Sequence, residues 1–335
     1  MNLLAKLRID GFLLGLLAAM VLGVVIPARG EAAGALEWAT RIAIAVLFLL
    51  YGTRLESREA LEGLKHWRLH TTVLAATYLL FPLLGLAMKV LVPSVLTNDL
   101  YIGMLYLCLL PSTVQSSIAF TSIARGNVAA AVVSASASNL LGIFVTPLLV
   151  TLLMQTTGGA TVSAKSIAEI VGQLLLPFVA GQLLRSKLHT VLSHTTLTKV
   201  VDRGSVYLVV YAAFSAGMAE HIWTGMEVRN IVAVIAVSVV LLAVVLGVTA
   251  GIARAFGFDR ADRIVIIFCG SKKSLATGLP MATVLFAGHP VGLIVLPLMI
   301  FHQIQLITCA WLAGRWGREA ELLDHRLGAR VRSAL

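Results

Sequence analysis

Two apolar stretches of this chain carry, near their middles, the groups an anion-binding site needs. The first reads Leu109-Leu110-Pro111-Ser112-Thr113-Val114-Gln115-Ser116-Ser117-Ile118-Ala119, and the second Phe268-Cys269-Gly270-Ser271-Lys272-Lys273-Ser274-Leu275-Ala276. Pro111 removes a main-chain donor and clashes with the preceding turn, so it breaks a helix; Gly270 weakens one. Beyond each break a helix starts afresh, with unpaired amides and the positive end of its dipole. Ser112 and Ser271 are suited to cap those starts. Thr113, Gln115, Ser116 and Ser117 then supply hydroxyl and amide groups on one side. Ser271, Lys272, Lys273 and Ser274 supply hydroxyl and ammonium groups on the other. The chemistry is capture of a carboxylate, phosphate or sulfate. No catalytic pattern accompanies it: Asp-rich pairs, His-Glu-x-x-His, Gly-x-Ser-x-Gly and Walker sequences are absent, and no enzyme is expected.

The elements that must position these groups are membrane helices. The chain is 59% apolar and 13% charged with a mean hydropathy of +0.93, far from a soluble domain. Apolar segments lie at 9–27, 36–54, 69–92, 98–124, 127–154, 165–186, 205–222, 229–254, 262–287 and 289–314. Each is long enough to cross roughly 30 Å of hydrocarbon. The expected fold class is therefore an all-α polytopic membrane protein with ten transmembrane helices. Of the 26 Lys and Arg, three (Arg29, Lys165, Arg229) fall in one set of alternate connections. Four (Arg41, Lys89, Lys272, Lys273) fall well inside the segments, and the remaining 19 lie in the termini, the other loops and the segment ends that meet them. That asymmetry places both termini in the cytoplasm and explains the net charge of +10 without nucleic acid. The N-terminal apolar run reads as a retained first span rather than a signal peptide.

Two longer cytoplasmic loops are expected. Glu56 to His70 puts Leu61, Leu64 and Trp67 on one face, as an interfacial helix would. Lys187 to Arg203 follows span 6; ten spans make two halves of five, and an odd number inverts the second half in the membrane. Residues 1–186 hold the first inverted repeat (spans 1–5) and the start of the second in span 6. Residues 187–314 carry spans 7–10, and 315–335 form a basic cytoplasmic tail. The breaks at Pro111 and Gly270 then fall in spans 4 and 9, the fourth of each half, where transporters place their substrate.

Adjacent lysines on a helix diverge by about 100°, so Lys272 and Lys273 have different tasks. One faces the solute, and the other lies between the crossed segments as a built-in cation. The plainer alternatives are that both snorkel to an interface and that the hydroxyls merely satisfy broken backbone. From spans 5 and 10, Asn139 and Gln303 are the residues expected to reach the crossing. His302 reads as an interior histidine, and Cys108, Cys269 and Cys309 as free buried thiols without a metal.

Leu110 to Ser117, Ala124-Arg125-Gly126-Asn127-Val128-Ala129, Thr146-Pro147 and Phe268 to Gly278 resemble the bile acid:sodium symporter family. The Lys-Lys run is similar to the branch containing vertebrate sodium/bile acid cotransporter 7 and the bacterial symporters like it. The resemblance implies a panel domain (spans 1, 2, 6, 7) and a core domain (spans 3–5, 8–10) with crossed, discontinuous helices 4 and 9. It also implies alternating-access transport of an organic anion. Ser116 and Ser117 match the pair that binds Na+ in bile acid carriers, with spacing from Pro111 differing by one residue. Two further positions for that ion fall on Ala131 and Ala135, and the acidic residue of the second crossing has no counterpart. We therefore expect a lysine to replace the coupling cation, leaving a carrier that is sodium-independent or coupled to H+. The expected function is secondary transport of a small organic anion across the inner or plasma membrane, with no cofactor. A second reading is a membrane regulator that keeps the fold and moves nothing.

Overall fold

A computed structural model describes residues 11–53, 66–156, 171–192, 195–219 and 227–334, which are helical apart from short connections. In chain order the helices are α1 (Gly11–Val25), α2 (Glu31–Thr53), α3 (Trp67–Ala75), α4 (Phe81–Ala87), α5 (Asn98–Leu109) and α6 (Gln115–Ile123). There follow α7 (Val128–Thr156), α8 (Leu176–Leu192), α9 (Thr195–Ala219), α10 (Val228–Ala255), α11 (Arg260–Gly270), α12 (Leu275–Leu285) and α13 (Val291–Ala334). Among the described residues, six helical segments are long and apolar enough to cross a membrane: 31–53, 67–91, 128–154, 228–255, 260–285 and 291–322. Helices also occupy the other apolar stretches, in shorter form at α1 and divided into α5 and α6 at the first break.

Two stretches named from their charge are helical. The region 187–203 is helical up to Leu192 and again from Thr195, because it holds no Gly or Pro to stop a helix. The basic tail is a continuation of α13 to Ala334; its Arg, Glu, Ala and Leu are strong helix formers, and Arg315 pairs with Glu319 one turn on at 2.9 Å. Most of the interfacial helix expected at 56–70 lies outside the described residues, and Trp67 opens α3.

The chain forms two compact units. The first comprises 1–55, 147–228 and 276–296, with α2 packed on α8 and α1 on α9. Glycine permits both pairings. A Cβ at Gly52 would lie 1.9 Å from the Phe178 carbonyl oxygen, and one at Gly181 would lie 2.0 Å from that of Leu49. The backbones of α2 and α8 thus touch in two places, as small residues allow between membrane helices. Tyr211 Oη donates to Ile26 O at 2.9 Å, and Ala28 N donates to Ser215 Oγ at 2.7 Å, tying α9 to the end of α1.

The second unit, 56–146, 229–275 and 297–335, contains both helix interruptions. Its core joins Leu69, Val73, Ala131, Ala135, Val265, Ile266 and Cys269. A second cluster gathers Ala124, Ile264, Phe268, Cys309 and Ala313. The N-termini of its two broken helices are conventionally capped. Thr97 Oγ1 accepts from Leu100 N at 3.4 Å on α5, and Asp259 accepts from Asp262 N at 2.8 Å on α11. The interruptions are thus local events inside otherwise well-formed helices.

Candidate functional site

The first interruption runs from Leu110 to Val114 and the second from Ser271 to Ser274. A broken helix leaves carbonyls without amides, and each must find a donor elsewhere. At the end of α5 the carbonyls from Leu107 through Pro111 all do so. Leu107 O accepts from Leu110 N at 3.4 Å, and Leu109 O from Thr146 Oγ1 at 2.8 Å. Cys108 O and Leu110 O both accept from Lys273 Nζ, at 3.0 and 2.7 Å. Pro111 O accepts from Ser274 N at 2.8 Å. The amide of Ser112, which would have served Cys108 in a continuous helix, donates instead to Ser138 Oγ at 3.0 Å.

The two interruptions touch. Ser112 Oγ donates to Cys269 O at 2.6 Å, and Ser117 Oγ reaches Phe268 O at 3.5 Å. Gln305, fully buried on α13, grips the second break by its backbone: its Oε1 accepts from Lys273 N at 3.0 Å and its Nε2 donates to Lys273 O at 2.9 Å. Its remaining amide hydrogen goes to His302 Nδ1 at 2.9 Å, which makes Nδ1 an acceptor and leaves the ring proton on Nε2.

Both lysines are 0% exposed, and neither is in an ion pair among the described residues. Their surroundings differ. Lys272 Nζ donates to Ser116 O at 2.8 Å and lies over the rings of Phe120, at 3.9 Å, and Phe268, at 5.3 Å. Lys273 Nζ donates to three carbonyls, those of Cys108 and Leu110 and, at 2.9 Å, that of Thr77. The ring of Phe81 closes the fourth side at 4.0 Å. Thr77 O is available for a local reason. The stretch Ala76–Leu80 is a widened turn in which Phe81 N donates to Ala76 O. The next amide in line would be that of Pro82, which has none.

The residues singled out from sequence distribute as follows. Thr113 and Ser116 are half-buried at the start of α6, their hydroxyls 3.4 Å apart, and Gln115 beside them is exposed. Ser117, Ser271 and Ser274 are buried, and Ser271 Oγ has no hydrogen-bond partner among the described residues. Asn139 and Gln303 are half-buried, and Ser138 and Gln305 hydrogen-bond to the breaks. Gln303 and Gln305 differ by about 200° around α13, so one cannot stand in for the other. Ser112 and Ser271 do not cap the new helices. Val114 holds the N-cap position of α6 without a side-chain acceptor, and Ser271 closes α11 by donating its amide to Ile267 O at 3.2 Å. The first amides of α6 are therefore uncapped beside half-buried hydroxyls, whereas the start of α12 is enclosed.

The donor set does not suit sodium at Ser116 and Ser117. Their hydroxyls serve different neighbours, and Ala131 and Ala135 sit in an apolar cluster with Val114 and Ile118 against it. The ammonium of Lys272 already occupies Ser116 O. Hard cations need several oxygens and no adjacent positive charge.

The sequence reading missed Gly142, where a Cβ would lie 2.6 Å from Pro111 Cβ and 2.9 Å from Tyr78 Oη. Tyr78 Oη in turn donates to Ser138 O at 2.5 Å. Gly142→Val should push Pro111 off α7 and destabilise the protein by roughly 1–3 kcal/mol. Thermal unfolding in detergent would measure this, and a midpoint equal to wild type would refute the close approach.

A profile of the SBF-like CPA transporter family matches residues 10–318. The chain is 49% identical over 313 residues to PA2026 of Pseudomonas aeruginosa, covering 93% of this chain and 94% of that one. It is 48% identical over 318 residues to YfeH of Escherichia coli (strain K12), whose name proposes a symporter, with coverages of 94% and 95%. Sodium/bile acid cotransporter 7 of Rattus norvegicus is 29% identical over 314 residues, with 92% of each chain covered.

Proposed function

The chain belongs to the SBF-like CPA transporter family, a family of membrane transporters rather than enzymes, and from that premise we propose that it carries a small organic anion by alternating access. In this reading ten spans form two inverted five-helix repeats, the interruptions at Pro111 and Gly270 are the crossing of spans 4 and 9, and both termini face the cytoplasm of a cell membrane. The observation that carries it is the juxtaposition of two helix interruptions with two buried lysines that pair with no acid among the described residues. An uncompensated buried positive charge is costly, and such residues in membrane segments mark solute paths. Lys272, beside the uncapped start of α6, is the ammonium for the solute; Thr113, Gln115 and Ser116 furnish the hydrogen bonds. An anion there neutralises a charge that no carboxylate answers among the described residues.

Counterflow in proteoliposomes tests this reading. Vesicles loaded with a carboxylate, an organic sulfate or an organic phosphate should take up the labelled compound above protein-free vesicles for at least one class. Folded protein that moves none of the three classes would overturn the reading in favour of a non-transporting regulator.

A further inference from the structure

Lys273 occupies an enclosure that has the chemistry of a site for a small monovalent cation. Three main-chain carbonyls converge on its Nζ at 2.7–3.0 Å, one from the widened turn before Pro82 and two from the broken end of α5. Three acceptors use three N–H donors, which an ammonium has and a neutral amine lacks. The carbonyls of α5 belong to the negative end of that helix, and the Phe81 face adds a fourth electron-rich wall. No carboxylate takes part among the described residues. The position of the ammonium is fixed twice over, because Gln305 holds both the N–H and the C=O of the same residue. Such a group cannot swing out to meet a solute without breaking the three hydrogen bonds at Nζ, while Gln305 keeps its backbone in place.

We propose that Lys273 is a tethered cation: its ammonium permanently fills a carbonyl cage, so the protein needs no dissolved ion there, and a shortened side chain would open a site for methylammonium, Na+ or K+. The inference deepens the transporter reading by assigning Lys273 to the framework and leaving Lys272 to the solute. It concerns a cage and its occupant, so it can be tested without transport.

The experiment compares full-length wild type, Lys273→Ala and Lys272→Ala in detergent, by thermal unfolding in choline, methylammonium, sodium and potassium chloride at one ionic strength. Wild type should unfold at the same temperature in all four salts. Lys273→Ala should unfold at lower temperature in choline and recover part of the loss in methylammonium and in sodium or potassium, saturably with concentration. Lys272→Ala, whose ammonium meets one carbonyl and two rings, should show no such recovery. A Lys273→Ala midpoint that ignores the cation, equal recovery in Lys272→Ala, or a wild-type midpoint that rises with sodium would each overturn the proposal. Should Lys273→Ala not fold in any salt, the wild type decides: a sodium-raised midpoint refutes the filled cage and an unchanged one supports it. Failure of the counterflow assay would leave this result untouched, so the two readings fall separately.

Discussion

Lys272→Met should leave the protein folded while lowering organic-anion counterflow by roughly 10- to 100-fold, the range lost when one charge-assisted hydrogen bond of about 1.5–3 kcal/mol disappears. Methionine reaches as far as the lysine Cε, and its thioether packs well on aromatic rings, so the Phe120 and Phe268 faces stay largely covered. The one hydrogen bond forfeited is to Ser116 O, in a half-buried turn where water can substitute. Lys272→Arg, which keeps the charge in a broader shape, should retain part of the activity with a weaker apparent affinity. Initial rates over a range of solute concentrations separate the cases. Wild-type rates in Lys272→Met would mean that this ammonium only packs between two rings.

Gln305→Leu should unfold at much lower temperature than wild type. The substitution strands the N–H and the C=O of Lys273 and the Nδ1 of His302, all removed from solvent. Each stranded group costs about 1–3 kcal/mol, and the sum rivals the 5–15 kcal/mol that typically separates folded from unfolded chains. Gln303→Leu, two positions away on another face of α13, should unfold close to wild type. Size-exclusion profiles and thermal midpoints in one detergent would show the contrast. Equal losses in the two variants would remove Gln305 from its role at the second break.

Much of this arrangement was legible in the sequence, and its limits are instructive. Pro111 and Gly270 announce the interruptions because their backbone chemistry acts locally, whatever the tertiary context. Adjacent lysines in an apolar run likewise announce two tasks, because helix geometry forces them apart. The partners of Lys273 were hidden, since Thr77, Cys108 and Leu110 act through carbonyls that every residue possesses. Pro82, five residues beyond Thr77, was the one local sign of an available acceptor. The reach of Ser138 and Gln305 to the breaks was hidden for a related reason. Rotational phase decides which side chain reaches a break, and apolar membrane helices carry little polar periodicity from which to read it.

The saturation of the Pro111 break has a mechanical meaning. An elbow needs slack: groups that trade partners as the angle changes. Here the carbonyls from Leu107 to Pro111 are each spoken for, three of them by the side chains of Thr146 on α7 and Lys273 at the second break. The bend behaves as a welded joint, and any stroke the protein makes must carry α5 and α6 along as a single bracket.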